Sequence, residues 1–422
     1  MSKPSFRGVS PCPLLLLLAL VAGGCDAPVA QFHLNMAHMR KQERELGADF
    51  RFTSGQRQDV ADILTALFGT PDAPHLPGQG ASGIDQLFGA EDLRKLEMAA
   101  GPVSSDQRGN PRGLYRQHCA HCHGITGDGS GPTAVFLKPY PRDYRMGIFK
   151  FKSTPRGKRP MHEDLKAVLV NGIPGTAMPS FRLLAEDEIE ALVEYVKYLS
   201  IRGQVERVLV RELAQEFEGK EDRDRYTAAD YLLDDVLARV VQPWLEADAQ
   251  QTEIAKLPEM TDEEKLASVE RGRQLYYGAV ANCVKCHGDT QLGDGQTTDY
   301  DDWSKDFYDW TSADAKVKGE RIAELISLGG LKPRTIEPRN LRQGVYRGGR
   351  RPIDVYRRIR DGIDGTPMPD LTNVMKSPGT PADAVGLTPE DIWHLVHYVQ
   401  SLPYESLSQP GSPAPAYMRE RM

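Results

Sequence analysis

The chain has 422 residues, of which 40% are hydrophobic and 26% are charged, and its formal net charge is −7. This length is too great for one small hydrophobic core and favours two to four domains, while the composition is typical of a globular protein. An acidic chain without a polybasic run is poorly suited to bind nucleic acid, so we expect no nucleic-acid partner.

Residues 1–24 have the layout of a secretory signal peptide. Two basic residues precede an apolar stretch, Leu14 to Val21, which is too short to span a bilayer. Small residues then lead to Cys25, an ending that resembles a bacterial lipoprotein processing site. We therefore expect an exported protein on the periplasmic side of a bacterial membrane, held there by a lipid on Cys25. The alternative is an ordinary signal peptide followed by an incidental cysteine.

Residues 25–103 form an N-terminal extension that is predicted to be partly helical. In Gln56–Phe68 the apolar residues recur at steps of three and four, as they do in an amphipathic helix. The next residues, Gly69-Thr70-Pro71, are a helix stop signal. A shorter helical pattern covers Asp85–Met98.

Residues 104–202 form a first unit. A predicted helix over Gly109–Cys119 leads into a Cys-x-x-Cys-His group. Two more helices are predicted over His162–Asn171 and Glu186–Ser200. Between them lies the sequence Gly-x-x-Gly-Thr-x-Met-Pro, which contains Met178.

Residues 203–262 are predicted to form a charged helical connector. Their apolar residues from Tyr231 to Leu245 recur at helical spacing, and such a stripe usually packs against a core. Docking of a partner is the alternative. Pro243 is expected to kink this helix or to restart it.

Residues 263–403 repeat the first unit. A predicted helix over Ser268–Gly278 again leads into Cys-x-x-Cys-His, a second Gly-x-x-Gly-Thr-x-Met-Pro loop contains Met368, and a last helix closes the unit. Order, motifs and flanking helices all recur, which indicates an internal duplication. The second copy carries an insertion at about 289–337, and a tail of residues 404–422 follows it.

Both Cys-x-x-Cys-His groups match the attachment motif of c-type haem. The thiols would bond to the porphyrin vinyl groups, and the histidine that follows would bind the iron as the proximal ligand. A bare Cys-x-x-Cys also occurs in zinc and redox sites, but a structural zinc site would need its remaining ligands. The predicted residues are Cys119, Cys122 and His123 in the first unit and Cys283, Cys286 and His287 in the second.

Met178 and Met368 are the candidates for the sixth iron ligand. The glycines and prolines around each one predict a tight loop that can bring the side chain close to a flat ring. A lone methionine is more often core filler, but two occur here in matching loops of matching copies. A thioether ligand favours Fe(II) and fills the coordination position, which suits electron transfer and hinders the binding of peroxide.

With these motifs, both units resemble class I cytochromes c, and the whole chain resembles the tandem diheme cytochromes c of bacterial respiratory chains. The resemblance implies an all-α fold with two cytochrome c domains, to which the N-terminal and connecting helical segments are added. It also implies two covalently bound haem c groups, each with one exposed edge. Helices would cross beside each haem, with contacts between Gly113 and Tyr195 and between Gly272 and Tyr398.

Arginines recur in the loops that follow the two attachment groups. We expect Arg142 and Arg339 to pair with haem propionates through charge-assisted hydrogen bonds. Surface charge is the alternative interpretation. The neighbouring Arg145 and Arg342 recur in the same way.

The insertion places aromatic residues among aspartates. They would form either a docking patch for a basic partner or a cover that dries the pocket of the second haem. The sequence does not decide between the two. The aromatic residues are Tyr300, Trp303, Phe307, Tyr308 and Trp310.

The sequence therefore predicts an electron carrier rather than an enzyme. One haem would accept an electron from a redox protein such as a dehydrogenase complex, and the other would pass it on, for example to a terminal oxidase. Two alternatives stay open. A diheme cytochrome c peroxidase would need one haem with an open position, and a haem subunit of a larger membrane or molybdenum oxidoreductase complex would co-purify with its partner.

Overall fold

A computed structural model describes residues 29–404 apart from short gaps. The gaps are residues 48, 78–82, 217–219, 255, 258, 308–313, 378 and 382–383. The expectations for the signal peptide, for Cys25 and for residues 405–422 lie outside the described residues. In the part that is described, no helix is both long enough and apolar enough to cross a membrane.

The fold is all-α, as the resemblance implied. Within the described ranges, the named β-strands form one short antiparallel ribbon that pairs Ser104–Ser105 (β1) with Pro111–Arg112 (β2). Helices and the loops between them make up the remainder, and they bury two groups of apolar side chains.

Four helices precede the first unit. Their bounds are Met36–Leu46 (α1), Ser54–Phe68 (α2), Ile84–Leu87 (α3) and Ala90–Ala99 (α4). Helix α2 contains the predicted Gln56–Phe68 helix and starts at a capping box, in which the Thr53 hydroxyl accepts a hydrogen bond from the Gln56 amide at 3.1 Å. The pattern over Asp85–Met98 forms two helices, α3 and α4, instead of one.

The first unit contains four helices. Their bounds are Leu114–His118 (α5), Ala120–His123 (α6), His162–Asn171 (α7) and Glu186–Gln215 (α8). The predicted helix start at Gly109 is wrong, because Pro111 and Arg112 pair in the ribbon and Gly113 has a φ of +77°, a conformation that favours glycine. Helix α7 has the predicted bounds, and Ala134–Phe136 forms one 3₁₀ turn.

The connector continues the first core. Helix α8 runs past Ser200 because Val205 and Leu209 extend its buried face. The next elements are Lys220–Tyr226 (α9), a π-helix over Tyr231–Leu237, Ala238–Leu245 (α10) and a 3₁₀ turn over Asp248–Gln250. Pro243 lies within α10 and does not restart the helix, while Trp244 is 4% exposed. The prediction that the connector stripe faces a core is confirmed.

The second unit has its own core. Its helices are Asp262–Tyr277 (α11), Val284–His287 (α12), Asp302–Phe307 (α13), Ala315–Ser327 (α14), Pro352–Arg360 (α15) and Pro389–Ser401 (α16), with 3₁₀ turns over Leu341–Gln343 and Thr372–Val374. Helix α16 begins after Thr388, which caps it and accepts a hydrogen bond from the Asp391 amide at 3.2 Å.

The two units differ where their helices cross. In the second unit a Cβ atom on Gly272 would lie 2.0 Å from the His394 carbonyl oxygen and 2.7 Å from the Tyr398 Cβ, so the predicted Gly272 contact is confirmed. In the first unit a Cβ atom on Gly113 would instead meet the backbone of Pro102 at 2.6 Å. Gly113 lies in the turn that precedes α5, and the Tyr195 ring packs on that of Tyr115, with centroids 4.9 Å apart. The contact between Gly113 and Tyr195 stays a prediction.

Candidate haem sites

Each attachment group folds as one helical turn. The amide of His123 donates to the Cys119 carbonyl at 2.9 Å, and the amide of His287 donates to the Cys283 carbonyl at 2.9 Å. One turn therefore places two thiols and an imidazole along the same side of the chain. The structure brings together in each unit the three residues that the sequence pattern predicted.

Both histidines are oriented by a backbone carbonyl group. The Nδ1 atom of His123 lies 3.0 Å from the Arg142 carbonyl oxygen, and that of His287 lies 3.1 Å from the Arg339 carbonyl oxygen. A carbonyl can only accept, so Nδ1 carries the proton and Nε2 presents its lone pair. A partner of this kind fixes the ring orientation and the tautomer of a metal-binding histidine.

Burial keeps both rings neutral. Removal from water lowers the pKa of His123 to about 4, and it also lowers the pKa of His287. Burial also raises the pKa of the Cys119 and Cys283 thiols to about 12. A structural zinc site would need further ligands beside each attachment group, and the cluster of potential metal ligands in the described residues, His162 with Glu190 and Glu194, includes neither group.

The two methionine loops have the same hydrogen bonds. The Met178 amide donates to the Thr176 hydroxyl at 3.1 Å, and the Met368 amide donates to the Thr366 hydroxyl at 3.2 Å. Each threonine hydroxyl donates in turn to an isoleucine carbonyl at 2.8 Å. The sequence repeat is therefore also a repeat of loop geometry.

A glycine lets each methionine loop fold back on the preceding helix. Gly172 and Gly362 have φ values of +66° and +68°. A Cβ atom on either would lie 2.7 Å from the backbone of the proline that follows the methionine. Only glycine fits this backbone at that distance, which explains the first residue of the repeated motif.

A large cavity joins the predicted residues of the first unit. It has a volume of about 820 Å³ and is lined by Cys119, Cys122, His123 and Met178. This size falls in the range of roughly 300–1,000 Å³ that is usual for cofactor sites. Apolar side chains of α7 and α8 complete its wall. The residues present fit a haem group that is bound by two thioethers, an imidazole and a methionine.

The second site is less enclosed. His123 is 8% exposed, whereas Cys283, Cys286 and His287 are all partly exposed. The His287 orientation and the Met368 loop nevertheless match the first site bond for bond. The donor set therefore fits a haem group in this unit as well.

The two arginines that are predicted to bind propionates, Arg142 and Arg339, contact the histidines through their backbone carbonyl groups. Their carbonyl groups orient the histidines, a role that the sequence analysis missed. The Arg142 guanidinium lies 3.3 Å from the centroid of the Trp303 ring and lines the first cavity, where burial lowers its pKa to about 10. The Arg339 Nε donates to the Val345 carbonyl at 3.0 Å. Propionate pairing stays a prediction for both.

The neighbouring arginines serve the local fold. Arg145 is buried and pairs with Asp143 at 2.8 Å. Arg342 donates to the Thr290 carbonyl at 2.6 Å and to the Gln291 side chain at 2.9 Å. Neither of them is simple surface charge.

The insertion lies against the first cavity, a position that neither of its two alternative interpretations predicted. Trp303, Ser304 and residues 328–331 line that first cavity. Trp303 also touches the second unit, because a Cβ atom on Gly365 in the Met368 loop would lie 2.1 Å from its ring. Tyr308 and Trp310 lie outside the described residues.

Two further groups at the first cavity were missed. Lys150 lines it and lies 3.9 Å from Asp301, and residues 33–37 of the N-terminal extension line another part. A signal for Lys150 was present, because a basic residue follows Pro141 and Pro338 at the same distance, as Lys150 and Arg347. No repeat marks residues 33–37.

Four other histidines lie near the two units' haem-binding turns or helix crossings. His118 and His121 both line the first cavity, and the centroid of the His118 ring lies 5.8 Å from that of Phe181. His394 and His397 pack in the second helix crossing, where their Nδ1 atoms lie 2.6 and 2.7 Å from the Ser268 hydroxyl.

Comparison with known proteins agrees with this geometry. Residues 107–196 match the family described as cytochrome C oxidase, cbb3-type, subunit III, and residues 269–403 match the family described as cytochrome c. Cytochrome c55X of Paracoccus denitrificans is 35% identical over 101 residues, which cover 23% of this chain and 79% of that protein. The chain belongs to the c-type cytochromes.

This tandem c-type cytochrome has two covalently attached haem c groups, one for each matched region. Its family is one of electron carriers. Among solved structures, it is similar to a chain of the reducing HAO-like protein complex of Kuenenia stuttgartiensis, with a TM-score of 0.44 and 23% identity over 71% of this chain and 98% of that chain.

Proposed function

We propose that this cytochrome transfers electrons between two respiratory-chain partners at the periplasmic face of a membrane, through two haems with His/Met ligation. The haem iron supplies reversible one-electron exchange between Fe(III) and Fe(II) when it is bound. The observation that carries the proposal is the pair of methionine loops with identical hydrogen bonds, each in a unit whose histidine is held by a backbone carbonyl.

The residues of the chain favour a carrier over a peroxidase. His123 and His287 are held neutral with Nε2 free, so each provides a proximal ligand. Met178 and Met368 lie in loops with matching hydrogen bonds and would supply a second iron ligand in each unit. An iron held by two protein ligands would have no open position for peroxide, whereas electron transfer needs none.

The N-terminal segment supports attachment of the first unit to the membrane. His33 lines the first cavity, and it lies only eight positions after the proposed lipidated Cys25. An extended chain of that length spans at most roughly 28 Å. A lipid on Cys25 would therefore keep the first haem site close to the bilayer surface, within reach of a membrane-bound donor or acceptor.

Exchange of each methionine for histidine tests the ligand set. Met178→His and Met368→His should each lower one of two reduction potentials by roughly tenths of a volt, a fraction of the range of about 0.8 V that axial ligands span. An optical redox titration of the full-length holoprotein measures both components.

Met161 provides the control, since it lies outside both loops, and Met161→Leu should leave both potentials unchanged. A resting five-coordinate high-spin spectrum, or peroxide turnover by the purified wild-type protein, would contradict the proposal.

A further inference from the structure

A segment of the first unit lies across the methionine loop of the second unit. The Arg156 guanidinium donates from Nη1 to the carbonyls of Met368 at 2.8 Å and Ile363 at 3.2 Å, and from Nη2 to the carbonyl of Thr366 at 3.1 Å. One side chain from the first unit therefore binds three backbone oxygens of the loop that holds the predicted sulfur ligand of the second haem.

The same loop is held at a second point. The Gly157 amide donates to both carboxylate oxygens of Asp364, at 3.1 and 3.0 Å. The Lys152 ammonium lies 2.8 Å from the same carboxylate, and its side chain is only 4% exposed. A buried pair of this kind fixes the position of both partners, so the Met368 loop is attached to the first unit through its side chains and its backbone.

The geometry points to Arg156 as a positioning residue for Met368. Two of the three oxygens that it binds also accept the hydrogen bonds that close the loop, namely Met368 from the Ile363 amide and Ile363 from the Thr366 amide. The planar fork of arginine can hold several acceptors in one fixed arrangement, which a lysine cannot do. The second sulfur ligand is thus held in place by the first unit.

This inference rests on the proposed function, because it assumes that Met368 binds the second iron. Its consequence is that the two units are not independent haem carriers. Loss of the Arg156 contacts would loosen one ligand loop and leave the other intact. The Met178 loop also contacts an arginine, but at Gly175. A Cβ atom added to Gly175 would lie 2.4 Å from the Arg339 guanidinium.

Two variants of the full-length holoprotein separate charge from positioning. In Arg156→Gln we expect the reduction potential of the second haem to fall and its Met–Fe(III) charge-transfer band to weaken, while the first haem is unchanged. Hydrogen exchange of the Ile363 and Thr366 amides should become about tenfold faster, since their acceptors lose a charged partner. In Arg156→Lys the charge is kept, so the potential should recover in part while amide exchange stays fast.

Arg334 offers a matched control at the same contact between units. It donates to the carbonyls of Leu137 at 2.7 Å and Val135 at 2.8 Å, and neither residue belongs to a methionine loop. Arg334→Gln should leave the second potential and the exchange of the Ile363 amide unchanged.

Two results would overturn the inference. One is an Arg156→Gln protein in which both the second potential and the amide exchange equal those of the wild type. The other is an equal effect of Arg156→Gln and Arg334→Gln on both haems, which would indicate only a general loosening of the contact. Failure of the proposed function looks different, because the wild-type protein itself would then lack the Met–Fe(III) band of the second haem.

Discussion

The two haem sites of this cytochrome share their ligand geometry and differ in the residues that cover them. The His123 ring is buried and stacks on Tyr144, with ring centroids 4.8 Å apart and planes 17° apart. Leu341 takes the equivalent place after Pro338 in the second unit, and His287 is partly exposed. Both copies have the hydrogen bonds that position the predicted ligands, whereas the residues that pack over each site differ.

This difference predicts an order of reduction potentials. A ferric haem carries one more positive charge than a ferrous haem, and burial beside cations disfavours that charge. The first site is more buried than the second, and its cavity is lined by five arginine and lysine side chains, among them Arg142 and Lys150, against three aspartates. We therefore expect the first haem to have the higher potential, so that an electron on the second haem moves toward the first.

The largest expected effect concerns Gly272, where helices α11 and α16 of the second unit cross at close range. Gly272→Ala would place a Cβ atom 2.0 Å from the His394 carbonyl oxygen. The helices must then move apart, and the free energy of unfolding of the second unit should fall by about 2–3 kcal/mol despite the better helix propensity of alanine. Denaturant unfolding, followed by the absorption of each haem, measures the change unit by unit.

Gly319 in α14 is the control for that substitution, because a Cβ atom there would meet nothing within 4 Å. Gly319→Ala should raise stability by about 0.5–1 kcal/mol. If Gly272→Ala is neutral, or if it destabilises both units equally, then the close helix crossing is not what distinguishes the second core.

A smaller effect is expected where the insertion closes the first cavity. The Trp303 ring lies under the Arg142 guanidinium and against Gly365, and its Nε1 donates to the Asp143 carbonyl at 3.3 Å. Trp303→Leu should admit water to the first cavity, lower the higher potential, and reduce stability by about 1–2 kcal/mol through lost packing and the lost cation–π contact. Redox titration and thermal unfolding check both effects.

Trp303→Phe keeps an aromatic face toward Arg142 and loses only the indole hydrogen bond. Its higher potential should therefore stay close to that of the wild type. A fall in the lower potential alone in Trp303→Leu would show that the insertion serves the second haem, which is one of the two alternatives that the sequence left open.

Lys150 should make only the first potential sensitive to pH. Burial, together with the nearby Arg142 and Arg347, lowers its pKa to about 7, against the opposing effect of Asp301 and Asp302. Below this pKa the ammonium disfavours oxidation of the iron. As pH rises through about 7 the charge is lost, so the higher potential should fall, by an amount on the order of tens of millivolts. Lys150→Met should abolish this dependence of the higher potential on pH. The potential of the second haem is the internal control. If both potentials change with pH, then Lys150 is not the source of the dependence.

The sequence was sufficient for the parts of each site that are local in the chain. The attachment turns, the methionine loops and α7 follow from short motifs, because their hydrogen bonds join residues a few positions apart. The all-α fold follows from the same repeats. The start of the first unit was missed because Pro111 pairs in a ribbon with a strand that no alternation of apolar residues marks.

The contacts that distinguish the two sites were not accessible from the sequence. Arg156 and the Met368 loop are more than 200 positions apart, and no local pattern encodes such a pairing. The same is true of Trp303 and Arg142, which meet only when the insertion folds onto the other unit. Motifs specify which ligands a haem receives, whereas packing between the units decides how each haem is covered.

The smallest predicted effect again contrasts the two units. Burial lowers the pKa values of His394 and His397 in the second helix crossing, whereas Glu194 raises the pKa of His162 between α7 and α8 of the first unit. A histidine with a lowered folded-state pKa binds fewer protons when folded, so its contribution to stability falls as pH drops below the unfolded value of about 6.5. The sign is opposite for His162, whose contribution is present below that value and is lost as pH rises through the raised pKa.

In the first unit, burial also lowers the pKa of His118, which opposes the effect of His162. Acidification from about pH 7.5 to about pH 5.5 should therefore destabilise the second unit, with its two lowered histidine pKa values, relative to the first by less than about 1 kcal/mol. The double variant His394→Gln/His397→Gln should remove this dependence from the second unit, and His162→Gln should remove the opposite one from the first. Urea unfolding at the two pH values, read separately from each haem, decides the matter. If the free energy of unfolding changes equally with pH in both units, then the histidines of the two helix crossings do not distinguish them. The two copies would then differ only in the residues that cover their haems.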